Sequence, residues 1–265
     1  MLKTVIEGTI FSFQLLTTIP LKKQVPYEKE QVRISVMSYP IVGGFLGILI
    51  FSLLFVMTEW TAVSPIVLTL LIATITIVYS GGLHLDGWMD ASDAFFSYKS
   101  RSEKIEIMKD SRIGAFAAIS VFLLLAWKLV LIYEVITLLS VKQFIIVALI
   151  PFFTRMSLGM KLYFGKLARQ EGMAFAMQKY IKKKDSLSYL IMLLTLFLGI
   201  IIFFQHLLIY VSVLFLSSVS FYYVSAKIDH HVFGGITGDT LGASVEGGEL
   251  WLWMTLYLLL SFVMG

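Results

Sequence analysis

Three aspartates stand at i, i+4 and i+7 in GGLHLDGWMDASDAFF, residues 81–96: Asp86, Asp90 and Asp93. A helix over 86–97 sets all three carboxylates on one face, because positions spaced this way stack on a 3.6-residue period. Like charges so stacked repel by about 0.2–0.5 kcal/mol per pair, so something must offset them. Hard divalent cations take oxygen ligands, and Mg²⁺ is commonly held by one or two carboxylates with substrate phosphates and water. The expectation is therefore a Mg²⁺ site on Asp86, Asp90 and Asp93; the alternative is a solvated acidic face beside a membrane span. Gly81, Gly82 and Gly87 suit a backbone that approaches a ligand closely. His84 can orient a carboxylate, act as acid or base, contact a phosphate, or serve as a hydrogen-bonded structural residue.

Further motifs carry matching chemistry. In IMKDSRIGAFA, residues 107–117, Lys109, Asp110 and Arg112 crowd together. Either Asp110 or Ser111 caps a helix N-terminus while the basic pair anchors a span, or Asp110 joins the metal cluster and Lys109 and Arg112 hold phosphate oxygens. Arg155 lies inside an apolar stretch, where an arginine is a functional candidate and an anionic ligand would be its partner. Lys128 also falls inside an apolar stretch and is expected to snorkel. The segment GGITGDTLGASVEGGE, 234–249, offers Gly235 and Gly238, whose backbone amides can cradle phosphate. Asp239 within it offers a further metal ligand, and Glu246 shares its helical face. Lys182, Lys183 and Lys184 suit anionic headgroups. Carboxylates, glycines and cations together suit phosphoryl transfer, in which metal neutralises a diphosphate and Arg/Lys stabilise developing charge.

The elements that must position these residues are membrane helices. Of 265 residues, 58% are hydrophobic and 14% charged, with mean hydropathy +0.87, far too apolar for a soluble domain of this length. The absence of cysteine excludes disulfides, thiolate metal sites and cysteine nucleophiles. Apolar runs long enough for a ~30 Å hydrocarbon core recur at 35–57, 63–82, 113–133, 143–160, 187–204, 207–226 and 249–264. They predict an all-α, polytopic membrane bundle of about seven spans, forming a single domain over 1–265. Residues 2–20 carry no cleavage site and read as an N-terminal helix lying in the interface. The intervening segments 1–34, 83–112, 161–186 and 227–248 hold 5, 5, 7 and 1 Lys or Arg, together 18 of 21. Segments 58–62, 134–142 and 205–206 hold only Lys142. The positive-inside rule puts the first set, and every motif above, in the cytoplasm.

At these residues the chain resembles cobalamin synthase, the adenosylcobinamide-GDP ribazoletransferase family. The resemblance covers most of the chain and rests on GGLHLDGWMDASD (81–93), IMKDSRIGAFA (107–117), Arg155 with AR-x-EG (168–172), GGITGDTLGA (234–243) and LLTTIP (15–20). Many members carry an acidic residue directly after the histidine, where this chain has Leu85. The resemblance implies a Mg²⁺-dependent transferase of the cytoplasmic membrane. It joins α-ribazole or its 5′-phosphate to adenosylcobinamide-GDP and releases GMP. It implies metal on Asp86, Asp90 and Asp93, with Asp110 and Asp239 as further ligands or as base. His84, Lys109, Arg112 and Arg155 would serve the chemistry, and Arg169 with the glycines would hold substrate. Small molecules and the bilayer are the expected partners; nucleic acid is not, and a homo-oligomer is compatible with the sequence.

Two enzyme classes and one non-enzyme class compete. CDP-alcohol phosphotransferases also displace a nucleoside monophosphate, but their DG-x-x-AR hallmark is broken here by Asp90 and Ala91. A membrane prenyltransferase would use D-x-x-x-D clusters on two loops and differs in substrate. A secondary transporter would put its ionisable groups near the midplane of broken helices.

Overall fold

The computed structural model describes residues 2–264, and among them helix accounts for every regular element except one isolated bridge between Leu167 and Ile236. α1 (Leu2–Leu16) and α2 (Lys29–Met37) pack together ahead of α3 (Tyr39–Trp60) and α4 (Pro65–Ser80). Pro40 and Pro65 sit in the first turns of α3 and α4, where a missing N–H is harmless. α4 ends where Gly81 (φ 63°) and Gly82 (φ 76°) both adopt the left-handed conformation, and their amides bond back to Val78 and Ile77. Two consecutive left-handed residues suit glycine alone. They turn the chain by 87° into α5 (Leu83–Phe96).

The chain continues through α6 (Arg101–Ile107), α7 (Ala115–Leu138), α8 (Leu149–Phe164), α9 (Gly172–Gln178), α10 (Leu187–Phe203), α11 (Leu208–Ile228) and α12 (Gly238–Met264). α8 is the bundle's centre: 83% of the span Val141–Phe164 is buried, against 11% of Lys183–Phe203 at the periphery. α3 reaches α8 through Gly43 and Gly47, where an added Cβ would lie 2.1 Å from the Pro151 carbonyl oxygen and 2.0 Å from that of Ala148. Small residues four apart let two helix backbones touch, the usual device of membrane helix packing.

Five helical segments are long and apolar enough to cross a membrane, and α4, bent by 87° from α5, passes as a sixth only if the two are counted as one span. The chain is thus a multi-pass membrane protein. At 16 residues α4 spans only about 24 Å, short of a ~30 Å core, which is why it passes only together with its neighbour. The seventh expected span, 249–264, is the C-terminal part of α12 and runs to the limit of the described residues.

The four basic segments converge at one end of the bundle. Arg33 pairs with Asp185 at 2.7 Å and Lys109 with Glu171 at 2.6 Å. Arg101 donates to the His231 carbonyl at 3.1 Å, and the Ile236 amide donates to the Lys166 carbonyl at 2.7 Å. That last contact requires Gly235 (φ 154°), since a Cβ there would lie 2.2 Å from the Lys166 carbonyl oxygen.

Candidate active site

α5 carries the aspartates as expected from their spacing, and its position is set by α12. Gly87 faces Asp239 and Gly242: a Cβ on Gly87 would meet the Asp239 carbonyl oxygen at 2.7 Å, and one on Gly242 would meet the His84 backbone at 3.3 Å. Gly87 therefore serves close helix crossing, which brings the α5 carboxylates to the start of α12. Gly81 and Gly82 serve the turn and Gly235 the loop bridge; of the candidate glycines, Gly87 and Gly238 line a cavity.

That cavity, about 200 Å³, lies between α1, α3, α5, α8, α9 and α12. His84, Asp86, Arg169 and Asp239 form its polar part; Leu15, Leu16, Tyr39, Leu158, Leu162, Met173 and Met177 contribute most of the rest. The Arg169 Nη2 lies 3.5 Å from Asp239 Oδ2, while its Nε and Nη1 are buried with no hydrogen-bond partner. His84 is 2% exposed and its Nε2 has no partner. Burial, reinforced by Arg155, pushes the His84 imidazole down to about 3, so it is neutral at physiological pH.

The carboxylates are only partly matched: Asp239 meets Arg169 and Thr237, while Asp86 and Asp90 repel one another. Burial raises the Asp90 carboxyl to about 6, with Asp86, Asp239 and Asp93 adding repulsion. Burial also raises Asp239, against the pull of Arg169. Among the described residues no three His, Cys, Asp or Glu side chains form a ready-made metal cage. Asp93 has a task of its own. Its oxygens accept from the amides of Gly114 at 2.7 Å and Ala117 at 2.8 Å, capping the N-terminus of α7. The cap expected from Asp110 or Ser111 is thus supplied from another helix.

Other expected residues lie apart from the cavity. Asp110 and Arg112 fold onto each other at 2.5 Å, with the Arg112 side chain 87% exposed, and Lys109 bridges Glu106 and Glu171. Arg155 is 1% exposed and pairs with Glu249 and Thr154. Lys128 does not snorkel: it is buried between Glu246 at 2.6 Å and Glu249 at 2.9 Å. Burying an unpaired ammonium is far costlier than bending towards an available carboxylate pair. Glu249 is the residue the sequence reading missed. The signal was present in four intramembrane charges, Lys128, Arg155, Glu246 and Glu249, that sum to zero.

Against this geometry the comparisons are specific. Residues 8–257 match the protein family described as cobalamin-5-phosphate synthase. The chain belongs to that family. Similar proteins named adenosylcobinamide-GDP ribazoletransferase include one from Geobacillus sp. (strain WCH70), 37% identical over 99% of this chain and 100% of the relative. Another, from Halalkalibacterium halodurans, is 37% identical over 94% of each chain, and one from Clostridium tetani is 30% identical over 96% and 98%. No solved structure matches. Family membership makes this chain an enzyme, a transferase of cobalamin synthesis.

Proposed function

We propose that the chain transfers the cobinamide phosphate of adenosylcobinamide-GDP to α-ribazole or its 5′-phosphate, releasing GMP, at the cytoplasmic face of the membrane. The observation that carries this reading is the gathering of charge where α5 meets α12: Asp86 and Asp239 line one cavity with Arg169, which keeps two buried donors free, and Asp90 is close enough to both carboxylates to be raised by them. Such an arrangement is unstable by itself and is relieved by a polyanion accompanied by a cation.

The residues fit Mg²⁺ shared with a diphosphate. The repulsion that Asp86 and Asp239 exert on Asp90 would be eased by a cation, whose remaining ligands would be substrate oxygens. Asp86, Asp90 and Asp239 would hold the ion, which would supply charge neutralisation on the diphosphate. Arg169, whose Nε and Nη1 have no partner within the protein, has donors left for phosphate oxygens. The first amides of α12, at Gly238 and Asp239, add the positive end of a 27-residue helix. In the transfer itself the acceptor hydroxyl oxygen bonds to the cobinamide-side phosphorus and the bond to the GMP oxygen breaks. The bonding pair leaves with GMP, and the hydroxyl proton passes to a carboxylate.

Cytoplasmic orientation rests on the 18-to-1 excess of Lys and Arg on the segments that carry the site. The test is GMP release by the protein in detergent from adenosylcobinamide-GDP and α-ribazole, with Mg²⁺ or with EDTA. Release that needs Mg²⁺ and yields a corrin bearing its lower ligand supports the reading. Folded protein that releases no GMP overturns it.

A further inference from the structure

The cavity is divided in character. Its polar part is confined to the α5–α12 junction, where His84, Asp86 and Asp239 stand with Arg169. The remainder is built from leucine, methionine and one aromatic side chain, including Leu16, Leu162 and Met173. Tyr39 is 1% exposed and donates its hydroxyl to Met177 Sδ at 3.1 Å, so ring and thioether are held against each other. Methionine sulfur packs favourably on aromatic edges and adapts to their outline.

Size limits what can enter. An apolar engineered cavity of about 150 Å³ is filled by one benzene, and pockets for drug-sized ligands run roughly 300–1,000 Å³. A cavity of about 200 Å³ therefore takes a fused two-ring system and excludes a corrin. Guanine has two rings as well, but its edge is crowded with donors and acceptors. Against a leucine and methionine wall each stranded polar group costs about 1–3 kcal/mol. An apolar aromatic base strands none. His84 Nε2, buried and unpartnered, is left for a single ring nitrogen or sugar hydroxyl.

Resting on the transferase reading above, we propose that this cavity is the acceptor subsite: it encloses the flat, apolar base of the nucleoside and turns the sugar towards Asp86, Asp239 and Arg169. The corrin and guanosine parts of the donor then stay outside it, and the two substrates meet at the carboxylates. Acceptor choice is set by apolar fit, with the polar contacts, His84 among them, confined to the α5–α12 junction.

Binding of α-ribazole alone to the full-length protein in detergent, followed calorimetrically, tests this without turnover. Saturable binding that GMP does not displace is expected. Ala174→Phe, which fills the cavity from α9, should weaken that binding by roughly tenfold or more. In turnover the same variant should raise KM for the nucleoside by that factor and leave KM for the donor alone. Displacement by GMP, or a rise in donor KM instead, overturns the proposal. A second measurement uses the wild-type protein and does not depend on the variant folding. A nucleoside with a photoreactive aryl azide on its base should label peptides containing Tyr39, Met173 or Met177, and labelling confined to other segments overturns the proposal. If the wild type binds and is labelled as expected yet releases no GMP, the transferase reading fails while the nucleoside subsite stands.

Discussion

Two groups of charges meet on α12 a few turns apart, at Asp239 and at Glu246 and Glu249, and behave in opposite ways. Within the bundle, Lys128 and Arg155 meet Glu246 and Glu249, two cations on two anions, all buried and all paired. At the cavity, Asp86 and Asp239, with Asp90 beside them, outnumber Arg169, and Arg169 keeps donors with no partner. The neutral quartet ties α7, α8 and α12 into one body and needs nothing from outside. The unbalanced set needs a ligand. Where low dielectric surrounds charges, completeness marks structure and incompleteness marks function. A third set, Lys109, Asp110 and Arg112, is paired but exposed, so solvent already does most of the work.

The comparison breaks most visibly at Glu249. Glu249→Ala leaves two buried cations short of a partner, an effect of about 3–5 kcal/mol. The yield of folded protein in detergent should collapse, whereas equally abundant, equally stable protein would show that the quartet is not structural. Asp86→Asn should do the reverse: normal yield, with GMP release reduced by roughly 10²–10³-fold. Near-wild-type turnover in that variant would remove Asp86 from the site.

A smaller effect separates function from stability at Asp90. Its carboxyl is raised from 3.8 to about 6, so its favourable contribution is complete below 3.8 and is lost as pH rises through 6. In EDTA, Asp90→Asn should therefore unfold at a higher temperature than wild type well above pH 6, the two converging near pH 4, while activity falls. Equal unfolding temperatures across that range would show that Asp90 is not held against its neighbours. The smallest effect is expected at Arg112. Its side chain is 87% exposed, so Arg112→Ala should leave the unfolding temperature unmoved. A large loss of GMP release there would instead restore the expectation that Arg112 reaches the transferring phosphate.

Much of this molecule was legible in local patterns. Apolar runs announced the membrane helices, and the i, i+4, i+7 aspartates announced a helix with one acidic face, realised in α5. Glycines marked special backbone, although their spacing alone did not separate a phosphate cradle from a left-handed turn at Gly81 and Gly82 or a helix crossing at Gly87. Periodicity and backbone permissiveness are properties of a few consecutive residues, so a sequence displays them directly.

Pairing is not local. Arg155 and Glu249 are 94 residues apart and Lys128 and Glu246 are 118 apart. Which of several carboxylates each cation meets follows from how α7 and α8 seat on α12. Asp93 has the spacing of a metal ligand and the surroundings of a helix cap, and only the position of α7 decides between them. The sequence by itself determined the helices, their apolar faces and the inventory of charges. The tertiary structure decided which charges cancel and which are left exposed to a substrate, because that depends on where helix axes cross, and the crossings are set by contacts between residues far apart in the chain.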